Sequence, residues 1–108
     1  MSNDPRQFDE SCPIWRTANV IGDPCTLMIL RDLLQDGPRK YSEFNARSRG
    51  FSLNTLSKRL KELQAHDIIE SEQYQQNPVR YQYKLTTRGK KLGPVMAAMY
   101  KWGETQAL

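Results

Sequence analysis

Apolar residues recur at helical spacing along most of this chain and at a period of two in one late stretch, so the pattern alone divides it into elements. Residues 1–11 show no apolar period and read as a flexible arm. From Cys12 onward the chain becomes periodic. Pro13 suits a first helical position, and Ile14, Ala18 and Ile21, with Trp15 alongside, mark a short first helix. Asp23 followed by Pro24 reads as an N-cap and a preset first turn, opening a second helix from Pro24 to about Gln35. Its Leu27, Leu30, Leu33 and Leu34, widened by Met28 and Ile29, predict a deeply packed element stopped by Gly37 and Pro38. Tyr41 and Phe44 place a third helix over Tyr41–Arg47. Ser52 then caps a fourth, in which Leu53, Leu56, Leu60 and Leu63 follow 3, 4, 3 spacing.

At about 100 degrees per residue those four leucines form a stripe roughly 80 degrees wide. Asn54, Lys58 and Lys61 fall on the opposite side, flanked by Thr55 and Arg59. Beyond His66 and Asp67 the period changes. Val79, Tyr81, Tyr83 and Leu85 alternate with Arg80, Gln82 and Lys84 as in a half-buried strand, and Ile69–Tyr74 supplies its partner across a tip at Gln75–Pro78. A last helix is expected from Thr87 to Trp102, carrying Leu92, Val95, Met99 and Trp102.

The fold class expected is therefore α+β and mostly helical. A chain of 108 residues closes around a single core, which leaves no room for a large enzyme scaffold. We expect the domain over 12–103 and a short tail over 104–108. No apolar run approaches the roughly 20 residues a membrane span needs, so a cytoplasmic location is expected. Cys12 and Cys25 are too few for a disulfide framework and lack zinc-site spacing, and His66 has no second imidazole or thiol to share a metal. No Gly-rich phosphate loop, nucleophile and base set or paired carboxylates suggest catalysis or a cofactor.

Charge sharpens this picture. The net charge is +4, but residues 1–36 carry three basic and six acidic side chains while residues 37–108 carry thirteen and six. Between Arg39 and Lys61 stand seven cations (Arg39, Lys40, Arg47, Arg49, Lys58, Arg59 and Lys61) against the single acid Glu43. So one-sided a cluster is the footprint of a nucleic-acid face, because neutralising phosphates releases counterions. A short helix, a Gly-containing break and a leucine-backed helix with Asn, Thr, Lys and Arg outside make a helix-turn-helix, and the basic hairpin makes its winged variant. Asn54 matches adenine's donor and acceptor, Lys58 and Lys61 suit guanine edges or phosphates, and Arg80 suits a narrowed minor groove. Arg39, Lys40, Ser52, Thr55 and Arg59 complete the candidate DNA contacts. The alternative is a winged-helix module whose basic face meets protein or RNA.

The first and last helices carry more apolar residues than so small a core can receive: Ile14, Trp15, Ala18, Leu92, Val95, Met96, Met99 and Trp102. They are the expected homodimer interface, the alternative being that the two helices pack on each other within one chain. A dimer would address two half-sites of a near-palindromic operator.

From Cys12 to Gly103 the sequence resembles the HxlR-type family of bacterial winged helix-turn-helix transcriptional regulators. The likeness is carried by Cys12-Pro13, by Ile29-Leu30-Arg31-Asp32-Leu33-Leu34 followed by Gly37-Pro38, and by Tyr41-Ser42-Glu43-Phe44 in the family's "RFSEL" slot. Leu56 to Leu63 matches the reader helix and Arg80 to Thr86 the wing strand ending in "YxLT". The resemblance implies a small DNA-binding dimer that represses or activates, with a small-molecule or oxidant effector. It also implies that Cys12, at a helix N-terminus, is either a redox switch or an inert cap residue. Three positions depart from the pattern: the usual "GGKW" turn is Gly22-Asp23-Pro24-Cys25, the Gly after the reader helix is Asp67, and an Arg of the first wing strand is Ser71.

Overall fold

A computed structural model describes residues 11–47 and 50–107; residues 1–10 of the expected flexible arm, Arg49 of the basic cluster and Leu108 of the expected tail lie outside the described residues. The elements are α1 (Pro13–Ile21), α2 (Pro24–Asp36), α3 (Tyr41–Arg47), α4 (Leu53–Ala65), β1 (Ile69–Gln76), β2 (Val79–Leu85), α5 (Thr87–Lys90) and α6 (Gly93–Thr105). The helix starts have local causes. Asp23 Oδ2 accepts from Thr26 N at 3.1 Å and Ser52 Oγ accepts from Thr55 N at 3.1 Å, each satisfying an orphan donor of a first turn. Glu43 reaches back to Lys40 N at 2.9 Å to open α3. α2 stops where Gly37 takes φ 75, a conformation its missing Cβ permits.

The core lies where α2 crosses α4, beneath the strand roots. Cys25, Ile29, Leu30 and Leu33 of α2 meet Leu56, Leu60 and Leu63 of α4, with Phe44 of α3 and Ile68, Ile69 and Leu85 closing the far side. Phe44 packs edge-on against Tyr83, with ring centroids 5.9 Å apart. This layer seats α4 by its leucines and so fixes which face the helix turns outward.

β1 and β2 form an antiparallel hairpin in the register Ile69↔Leu85 to Gln76↔Val79, irregular between Gln73 and Gln75. Arg39 adds a single isolated bridge to β2. Its backbone exchanges hydrogen bonds with Tyr83 at 2.9 and 2.7 Å, joining the α2–α3 connection to the wing. The architecture is the expected winged helix-turn-helix.

Three local expectations are corrected. The last helix is two: Pro94 has no N–H to give to a continuous helix, and the chain turns at Lys91 and Leu92, with Leu92 N bonded to Gly89 O, before α6 begins. Leu53 is exposed rather than part of the buried stripe, because the first turn of α4 extends past the core. Val79 and Tyr81 are exposed as well, since the hairpin tip projects beyond anything that could cover it. Among the described residues, no helix is long and apolar enough to cross a membrane.

Candidate nucleic-acid interface

Seven of the nine residues read as DNA contacts sit on two connected surfaces, and two do not. On α4, Asn54, Lys58 and Lys61 are exposed along one outward face, with Thr55 half-buried beside them. The leucines pinned to α2 are what hold that face outward. Ser52, at the N-terminal end, spends its hydroxyl on the helix, capping Thr55 N and contacting Thr55 Oγ1 at 2.9 Å.

The second surface is a cleft of about 620 Å³ between the start of α3 and the wing, lined among others by Lys40, Tyr74, Arg80 and Tyr81. Lys40 and Arg80 are both exposed there, so residues forty positions apart line one cleft. Lys40 Nζ stands 4.8 Å from the centroid of the Tyr74 ring, a cation–π contact that holds it over the cleft. Tyr41 joins the two surfaces: its hydroxyl donates to Leu53 O at 3.2 Å and lies 2.9 Å from Ser57 Oγ, tying α3 to the first turn of α4. The residue pattern marked Tyr41 as a helix position and Tyr74 as a strand end, but gave neither a part in the interface. Their partners lie twelve or more positions away, beyond the reach of any local signal.

Arg39 and Arg59 are placed differently. Arg39 is half-buried, with Nη2 3.1 Å from Asp36 Oδ2 and Nη1 3.9 Å from Glu43 Oε2. Arg59 Nη1 donates to Glu62 Oε2 at 2.9 Å, and its Nε lies 3.1 Å from Asp23 Oδ2. The Glu62 hydrogen bond leads the forces that raise the Arg59 pKa. Both guanidiniums are therefore ion-paired with the protein's own carboxylates, although the Nε of each lacks a hydrogen-bond partner among the described residues.

The wing is electrostatically self-consistent. Lys84 Nζ contacts Glu72 and lies 3.7 Å from Glu70, and Gln82 donates to Glu72 Oε1 at 3.1 Å. Those contacts, the Lys84 hydrogen bond first, hold the Glu72 carboxyl below the usual range. Burial, with the nearby Tyr41 second, pushes the Tyr83 phenol up.

The thiols are separate. Cys12 is half-buried at the N-cap of α1 and makes no side-chain capping bond; Cys25 is fully buried under the α2–α4 seam. Burial, then the Asp23 carboxylate, raises the Cys25 pKa, and Arg59 opposes them. Among the described residues no three His, Cys, Asp or Glu side chains are grouped to hold a metal ion.

The residues expected at a dimer interface divide in the same way. Leu92 and Met96 pack partly on the core, and Trp15 is half-buried. Ile14, Ala18, Val95, Met99 and Trp102 are exposed, Ile14 to 79% and Trp102 to 61%. Along α6 no residue is buried, and between it and α2 runs an apolar groove of about 540 Å³ lined by Leu27, Met28, Leu34, Met96 and Met99 among others.

The family model for the HxlR-like helix-turn-helix matches residues 20–107. An HTH-type transcriptional regulator of Synechocystis, sll1512, is 35% identical over 92 residues, covering 85% of this chain and 67% of that protein. The redox regulator HypR in its oxidised form superposes with a TM-score of 0.81 at 31% identity, over 90% of this chain and 99% of that one. Diamide-treated YodB from Bacillus subtilis gives a TM-score of 0.71 at 30% identity, over 89% of this chain and 95% of that one. The relatives are transcriptional regulators rather than enzymes.

Proposed function

The chain belongs to the HxlR-like helix-turn-helix family, and from that premise we propose that it is a sequence-specific DNA-binding transcriptional regulator acting as a homodimer on a near-palindromic operator. The observation that carries this reading is the outward face of α4, where Asn54, Lys58 and Lys61 stand exposed on a helix whose opposite side is locked into the core. In the major groove Asn54 and Lys58 read base edges, and Lys61 contacts an edge or a phosphate. Lys40 and Arg80, across their cleft, hold the backbone beside the reader helix. Ser52 and Thr55 lie at the helix N-terminus, where backbone N–H groups favour a phosphate. The exposed apolar residues of α1 and α6 meet their counterparts on the second subunit.

Selection from random duplexes, followed by binding measurements on the recovered site, tests this reading. We expect a two-fold-related site, loss of discrimination in Asn54→Ala and Lys58→Ala, and uniformly weaker binding in Arg80→Ala. Equal affinity for random duplex would favour the protein- or RNA-binding module instead.

A second element concerns the signal. HypR is a redox regulator, and it and diamide-treated YodB both superpose on this chain. Cys12, at the open N-cap of α1, is the thiol placed to respond to an oxidant or electrophile, through its effect on the dimer. Operator binding measured before and after diamide, with the thiols mapped by mass spectrometry, decides it; unchanged binding with Cys12 oxidised returns the residue to a passive cap.

A further inference from the structure

Arg59 lies midway along the reader helix and in sequence looks like one more cation for the duplex. Its surroundings give it another task. The guanidinium bridges two carboxylates: Glu62 one turn along α4, at 2.9 Å, and Asp23 at the start of α2, at 3.1 Å. The same Asp23 oxygen accepts from Thr26 N at 3.1 Å, which starts α2. One carboxylate oxygen thus serves both the first turn of the core helix and the flank of the reader helix. The rest of the α2–α4 seam is apolar (Cys25, Ile29, Leu56, Leu60, Leu63), and apolar packing resists separation more than small rotations about the helix axis. The Asp23 contact is an ion pair without hydrogen-bond geometry, since Arg59 Nε has no hydrogen-bond partner among the described residues, and its attraction falls as the two charges are turned apart. Because Arg59 follows Lys58 by about 100 degrees around the helix, whatever fixes Arg59 fixes the azimuth of Lys58 and Asn54.

We propose that Asp23 and Arg59 are positioning residues for base reading, setting the rotation of α4 on α2, and that Arg59 does not contact the nucleic acid. This rests on the duplex-reading proposal above. Coulomb's law makes the test sharp, because removing an acid near an anionic duplex should tighten binding, whereas breaking the lock should weaken it. Asp23→Asn keeps the helix cap, since Asn caps as well as Asp. In the full chain we expect Asp23→Asn and Arg59→Gln each to weaken binding to the selected operator roughly three- to tenfold, with the double variant no worse than either single, as networked residues behave. Affinity for random duplex and the salt slope should stay unchanged, and α4 amides should exchange hydrogen faster without DNA. Neutral or tighter operator binding by Asp23→Asn, with Arg59→Gln weakening operator and random duplex alike and flattening the dimer's salt slope by about 1.8, would overturn the proposal and make Arg59 a phosphate contact. A wild-type chain that fails to discriminate overturns the duplex reading instead, an outcome distinct from a discriminating wild type with an indifferent Asp23→Asn.

Discussion

Trp102 gives the most direct quantitative test of the dimer. Its ring is 61% exposed on a helix with no buried residue. A thirteen-residue helix with no fully buried residue, packed on the core through Met96, is marginal in water by itself, so α6 needs a cover. An aromatic side chain offers roughly 150–250 Å² for burial, so roughly 90–150 Å² of this ring faces solvent in one subunit. At about 25 cal/mol per Å², covering it yields about 2–4 kcal/mol, and truncation to Ala forfeits about 2–3 kcal/mol of that. A two-fold interface contains the residue twice. Trp102→Ala should therefore cost the dimer about 4–6 kcal/mol, a rise of three to four decades in its dissociation constant. Sedimentation equilibrium from nanomolar to high micromolar concentrations reads this directly, and far-UV circular dichroism should show helix lost as subunits separate. Val79→Ala, at the equally exposed wing tip, is the control that should leave association alone. Self-association of Trp102→Ala within tenfold of wild type would refute the reasoning and leave the indole's exposure without an account.

Four further outcomes follow from the geometry. Asp67 holds φ 58, a left-handed conformation that costs L-residues about 1–2 kcal/mol, Asp somewhat less; chemical denaturation should find Asp67→Gly more stable by about 0.5–1 kcal/mol and Asp67→Ala less stable, and the reverse order would show that the turn is unstrained. Iodoacetamide should label half-buried Cys12 in the native protein and reach Cys25 only on unfolding; equal rates by mass spectrometry would contradict the burial. The Glu72 carboxyl should titrate below the usual value of about 4.3 by NMR and return toward it in Lys84→Met. Because its folded pKa is depressed, its contribution to wing stability is present above the unfolded value and disappears as pH falls through the folded one; a midpoint indifferent to Lys84→Met would refute the assignment. Finally, Lys40, Lys61 and Arg80, the cations proposed to reach phosphates, have no carboxylate within ion-pair distance among the described residues, so a dimer should release counterions with a log-log salt slope of about 5, against about 9 if Arg39 and Arg59 also met phosphates.

Which features were legible in the sequence follows from how far each signal reaches. α1 to α4 and the hairpin announced themselves because a cap, a proline or an apolar period lies within each element: Asp23-Pro24 for α2, Ser52 and the leucines for α4, the Tyr81/Tyr83 alternation for β2. The break before α6 was masked because Leu92, Val95 and Met99 keep helical spacing across it, although Gly93-Pro94 carried the contrary signal. Alternation correctly gave β2 two faces but could not say that Val79 and Tyr81 have nothing to pack against; burial depends on what lies opposite, and a hairpin tip has no opposite. For the candidate interface, charge density picked out the region but not the state of each cation. The Arg39–Tyr83 rung and the Tyr41–Ser57 contact join distant segments, which no local pattern encodes.

The division among the cations has a structural logic of its own. α2, the helix the core is built around, carries an aspartate just before it and another at its last residue, and each grips an arginine that the charge pattern had placed on the DNA face. Asp23 holds Arg59 on the reader helix. Asp36 holds Arg39, whose backbone is in turn a strand partner of Tyr83 in the wing. Asp36 stands at the negative end of the α2 dipole, where an acid is unfavourable unless a cation neutralises it. Arg suits both places, because its planar fork can serve two carboxylates and sheds water more readily than an ammonium. The strongly hydrated lysines stay outside: Lys40, Lys58 and Lys61. One buried helix thereby references both proposed reading elements, α4 and the wing, to the same rigid body, so the cations that face outward keep a fixed spacing for a duplex to match.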